Sequence, residues 1–90
     1  MSAVKITVHG VVQGVGYRAL VMEAAIQLKI KGYAKNMPDG SVEIIAIGEK
    51  GKIIKFIELI NVDTAYGPQV HKIDSAPAEE NVSYSSFEIR

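Results

Sequence analysis

The sequence contains no cysteine, so a disulfide, a thiolate metal site and a thiol nucleophile are all excluded. It has no surplus of charge either: ten Lys and Arg balance ten Asp and Glu. A domain that grips a nucleic-acid backbone usually carries a basic excess, so nucleic acid is not expected as the main ligand, although one locally bound phosphate is compatible. No apolar run approaches the roughly 18 residues of a membrane span. Lys5, His9 and Arg18 interrupt the stretch in which a signal peptide would need its apolar core. A cytoplasmic protein with no membrane partner is expected. Only two histidines occur, and no carboxylate cluster marks a metal site. The 90 residues suit a single domain spanning 1–90.

What is present is strongly patterned. Val4, Ile6 and Val8 alternate with Lys5 and Thr7, which predicts a half-buried strand over 4–8. Residues 10–16 hold three glycines and read as a loop. From Arg18 to Ile30 the period lengthens, with Val21, Ala24, Ala25 and Leu28 on one helical stripe. A short strand is expected over Gly32–Asn36. Met37-Pro38-Asp39-Gly40 then makes a turn, and a further strand covers Ser41–Ile47. Ile53, Phe56, Ile57 and Ile60 define a second amphipathic helix over Glu49–Ile60, followed by a polar loop to Pro68. Strands are expected at Gln69–Ser75 and Tyr84–Ile89, with Ala76–Ser83 irregular between them. The resulting order, β-α-β-β-α-β, predicts an α+β, ferredoxin-like sandwich. Its sheet would be antiparallel, with two helices on one face and a short extra C-terminal strand. That plan hosts many activities, so function has to come from a site.

The informative segment is His9-Gly10-Val11-Val12-Gln13-Gly14-Val15-Gly16-Tyr17-Arg18, which leaves a strand and enters a helix. Helix N-termini offer unpaired N–H groups and a partial positive charge. A glycine-rich turn aims further N–H groups at the same point, giving a cradle for an anion. Arg18 stands where a lone cation is disfavoured by the helix dipole, but a bound anion reverses that sign. Guanidinium then adds bidentate hydrogen bonds to phosphate. Gly14-Val15-Gly16-Tyr17-Arg18-Ala19 also matches a dinucleotide fingerprint. That reading fails, because the second strand turns straight into a hairpin and the chain is too short for two mononucleotide halves. A Walker loop fails for want of a Gly-Lys-Ser/Thr ending.

Gly10-x-Val12-Gln13-Gly14-Val15-Gly16-Tyr17-Arg18 resembles the signature of the acylphosphatase family. Gly32-Tyr33-Ala34-Lys35-Asn36, with Pro38-Asp39-Gly40-Ser41-Val42-Glu43 after it, is similar to that family's second block. The likeness extends loosely over nearly the whole chain. It implies that Arg18 binds the phosphate as a catalytic residue and that Asn36 positions the attacking water. It also implies a small-molecule acyl phosphate as substrate and no cofactor or metal. Backbone N–H groups of Val12, Gln13, Gly14, Val15 and Gly16 are expected to hold the phosphoryl oxygens. Family members often carry Gly and Val where this chain has Lys29 and Ala34, and the Asn61–Pro68 loop diverges from the usual pattern.

Three other readings compete with it. A non-catalytic anion-binding regulatory domain would keep the cradle but would not need Asn36. An RNA-binding module shares the element order, and Lys31-Gly32-Tyr33-Ala34 begins like its RNP1 pattern. The match breaks at Lys35, lies on the wrong strand and lacks a stacking platform. Acylphosphatase-like domains also occur inside larger hydrogenase-maturation proteins. Here the chain stops just after its last strand, so a free-standing monomer is expected.

Overall fold

Alternation in the first segment produces strand β1, Ser2–Val11, in the computed structural model of the chain. The structure describes residues 1–79 and 84–90. β1 exceeds the predicted 4–8 at both ends because both of its edges are paired. It runs antiparallel to β3, Val42–Gly48, with Ile6 opposite Ile44. On its other side it runs antiparallel to β4, Gln69–Pro77, with Val8 opposite Ile73. β2, Lys31–Asn36, pairs antiparallel with the outer edge of β3. The short β5, Phe87–Ile89, joins β2 in parallel, so the sheet order is β4-β1-β3-β2-β5. The sheet is therefore mixed at that one edge: β4 runs against β1 and β2, and a return strand after β4 must run with them. Strand β4 continues to Pro77, into the stretch read as irregular, and residues 80–83 of that stretch lie outside the described residues.

Two helices cover one face. α1, Tyr17–Gln27, buries Tyr17, Val21, Ala24 and Ala25; α2, Lys50–Ile60, buries Ile53, Phe56 and Ile60. These side chains meet Ile6, Val8, Ala34, Val42 and Ile44 in one core. Most of each predicted stripe is buried, while Leu28 and Ile57 pack partly exposed at the edges and Tyr17 joins the first stripe one turn early. Phe87 of β5 adds an edge-on ring against Phe56, centroids 6.2 Å apart. The Tyr17 hydroxyl donates to the Ile60 carbonyl at 2.8 Å, which satisfies an otherwise unpaired acceptor in the last turn of α2. Burial pushes the Tyr17 hydroxyl pKa up. The opposite sheet face is mixed, carrying Ile45 and Ile47 beside charged and polar residues. There Lys5 lies 3.3 Å from Glu43, and the Tyr33 hydroxyl donates to Glu43 at 3.0 Å.

Helix α1 stops three residues before the predicted end. Ile30 N–H donates to Ala25 O at 2.8 Å and Lys29 N–H to Ile26 O at 3.2 Å, a Schellman closure. It demands a left-handed residue at the position of Lys29, whose φ is 56°. A side chain there costs about 1–2 kcal/mol, while glycine costs some unfolded-state entropy. Lys29→Gly is expected to stabilise the fold by about 0.5–1 kcal/mol, read as a thermal midpoint about 2–8 °C higher. An unchanged or lower midpoint would contradict this reading of the helix end.

Candidate active site

The loop between β1 and α1 is built by backbone angles. Gly14 and Gly16 have φ of 76° and 78°, and Gly16 is the N-cap of α1. A Cβ at either would meet nothing, so the constraint is the left-handed angle and not space. The first bond to close on the helix is Leu20 N–H to Gly16 O at 3.2 Å. Among the described residues, no backbone bond is donated by the N–H groups from Gln13 to Ala19. Val12, Gly14, Gly16, Arg18 and Ile89 line a small cavity of about 200 Å³ at this helix start. Val12 is anchored in the core and Val15 packs against it, which pins the loop at two points.

Arg18 lies in the first turn of α1. Its Nη1 donates to the Arg90 backbone oxygen at 2.7 Å. Arg90 is brought there by β5, and its own N–H donates to Ala34 O at 2.8 Å. Its guanidinium lies over aromatic rings, 4.4 Å from the Tyr33 centroid and 5.5 Å from that of Tyr84. Sequence reasoning missed Arg90. Its role depends on a backbone oxygen 72 positions from Arg18, and no side-chain pattern announces that.

Asn36 ends β2 on the helix-covered side, in phase with buried Ala34. Its Oδ1 is buried and accepts no hydrogen bond among the described residues. An unpaired buried acceptor costs about 1–3 kcal/mol, so such groups are retained where something other than stability needs them. The turn that follows is tightly tied. Gly40 N–H donates to Met37 O at 3.1 Å and Met37 N–H to Ser41 O at 2.9 Å. Asp39 accepts from the Ser41 hydroxyl and N–H, which holds its carboxyl below the ordinary carboxylate range.

The structure thus gathers Val12, Gly14, Gly16 and Arg18 around one cavity. It does not put Asn36 on that cavity's wall. The connection runs through Gln13, whose side-chain amide leaves the loop and donates to Met37 O at 2.8 Å and Ser41 O at 2.9 Å. His9 pairs with Asp74 at 3.5 Å and His71 is exposed on β4; neither lines the cavity. Among the described residues, no three His, Asp or Glu side chains are grouped to share a metal ion. No helix there is long and apolar enough to cross a membrane.

An α+β domain in which unpaired loop amides and an arginine meet where a strand enters a helix has the makings of an anion site. Comparison with known proteins narrows it. The family model for acylphosphatase matches residues 4–89. An acylphosphatase of Archaeoglobus fulgidus is 41% identical over 93 aligned positions, covering 99% of this chain and 98% of that one. One of Aliivibrio fischeri is 44% identical over 73 positions, covering 81% and 77%. A crystal structure of acylphosphatase from Bacillus subtilis superposes with a TM-score of 0.92 at 32% identity, covering 100% of this chain and 99% of that one. The chain belongs to the acylphosphatase family of enzymes.

Proposed function

We propose that the chain hydrolyses acyl phosphates to a carboxylate and inorganic phosphate, with Arg18 and the 12–16 backbone holding the phosphoryl group and Asn36 placing the water. The observation that carries this reading is that Val12, Gly14, Gly16 and Arg18 line one cavity at a helix start whose N–H groups donate no backbone bond among the described residues. Family membership supplies the bond that is cleaved.

The chemistry needs few groups. The leaving carboxylate has a conjugate acid with a pKa of about 4, by analogy with side-chain carboxyls, so it departs unprotonated at neutral pH. Phosphoryl transfer passes through a loose state with charge spread over the phosphoryl oxygens. Amides preorganised by glycine angles meet that charge without reorganising. Arg18 is held by its bond to Arg90 O, which leaves the other donors of its fork for phosphoryl oxygens. The Asn36 amide both donates and accepts, which suits orienting a water for in-line attack. Its unpartnered Oδ1 is the acceptor such a water would use.

The test is turnover of benzoyl phosphate at neutral pH in the presence of EDTA, with inorganic phosphate as inhibitor. Turnover that survives the chelator and is inhibited competitively by phosphate is expected. A folded chain that binds phosphate but turns nothing over would be a regulatory anion-binding domain instead.

A further inference from the structure

The proposed phosphate holder and the proposed water holder stand on different elements. The 12–18 loop joins β1 to α1, while Asn36 closes β2 next to the 37–41 turn. Two glycines at positive φ make the loop adaptable on its own. In-line attack needs the reacting atoms held to within a fraction of an ångström. Something must fix the loop to the hairpin.

The Gln13 side chain makes that connection. The bridging atom is the amide nitrogen Nε2, which carries two N–H donors, and both are used. One reaches Met37 O at 2.8 Å across 24 residues, the other Ser41 O at 2.9 Å across 28. Each carbonyl already accepts one bond inside the turn, from Gly40 N–H and Met37 N–H, so the amide takes up their remaining acceptor capacity. Among the described residues, no other hydrogen bond joins the 12–18 loop to the 36–41 segment. Met37 directly follows Asn36, so the clamp grips the chain one peptide beyond the amide that orients the water.

We infer that the Gln13 side chain is a positioning residue that sets the distance between the phosphate cradle and Asn36, and so acts on turnover through Asn36. The inference rests on the reading of Asn36 given above. It is separate from the expected role of the Gln13 backbone N–H. The glycine angles and the anchors at Val12 and Val15 still shape the loop when the clamp is cut. Phosphate affinity is then retained while the water drifts from the attack line.

A double-mutant cycle with Gln13→Met and Asn36→Ala tests this, using benzoyl phosphate for kcat and inorganic phosphate for the inhibition constant. Met keeps the length of the side chain and removes both donors. In the otherwise unchanged chain, Gln13→Met is expected to lower kcat by about 10- to 100-fold, with phosphate inhibition changed by less than about threefold. In the Asn36→Ala background the same change is expected to cost less than about threefold, because there is no longer an amide to misplace. Equal losses in the two backgrounds would overturn the inference, as would phosphate inhibition weakening in step with kcat. Should Gln13→Met fail to fold, Gln13→Asn carries the cycle, since its amide is one methylene too short to bridge both carbonyls. An Asn36→Ala chain with undiminished kcat would instead remove the reading of Asn36, and this inference with it.

Discussion

Replacing Arg18 with alanine is expected to lower kcat/KM for benzoyl phosphate by roughly 10³- to 10⁵-fold, the range seen when phosphoryl-transfer arginines are lost. In free energy that is about 4–7 kcal/mol of transition-state stabilisation. Inhibition by inorganic phosphate should weaken in the same variant, because the proposed role has the guanidinium contact the bound group before and during transfer. Arg18→Lys should recover only part of the loss: an ammonium restores charge but not the planar fork. Stability should move little. The side chain is half-buried and its hydrogen bond to Arg90 O is exposed. Removing a cation from the first turn of α1 returns about 0.3–1 kcal/mol of dipole repulsion. Activity collapsing at a nearly unchanged thermal midpoint is the expected pattern. Near-normal turnover by Arg18→Ala would take Arg18 out of the site.

Asn36→Ala is expected to lower kcat by about 10²- to 10³-fold, the usual cost of deleting one preorganised polar group at a transition state. Inhibition by phosphate should change little, since the residue is assigned to the water. The same substitution removes a buried acceptor that has no partner among the described residues. The variant should therefore be no less stable than the parent in a urea titration. Weakened phosphate inhibition with normal kcat would move Asn36 from the water to the phosphate. A large loss of stability would make it a structural turn residue.

The parts of this fold that were legible in the sequence are those decided by local periodicity. Ile6 and Val8 of the first alternation, and Ile53, Phe56 and Ile60 of the second helical stripe, are buried, while Val4 and Ile57 of the same patterns are partly buried against them. The hairpin at Pro38-Asp39-Gly40 was legible because its residues carry their own turn chemistry, and Gly40 has φ 92°. The parts that were not legible depend on distant segments. The parallel pairing of β5 with β2 follows from the path after β4 and not from any feature of Phe87–Ile89. The Arg90 oxygen on Arg18 is a consequence of that pairing. At Lys29 the left-handed angle lies behind a residue that normally avoids it, although the usual family glycine was a pointer. The sequence shows Gln13 only as a loop residue with a backbone N–H, and the folded hairpin is what brings two carbonyls within reach of its side chain.

The central claim is that a water held at Asn36 attacks phosphorus while Arg18 and the loop hold the phosphoryl oxygens. Single-turnover hydrolysis of benzoyl phosphate in ¹⁸O-labelled water, with mass analysis of both products, tests it most directly. Attack at phosphorus places the label in inorganic phosphate and leaves benzoate unlabelled, and that is the result expected. Label in benzoate would mean attack at the acyl carbon, with the carbon–oxygen bond broken, and would contradict the roles given to Arg18 and Asn36.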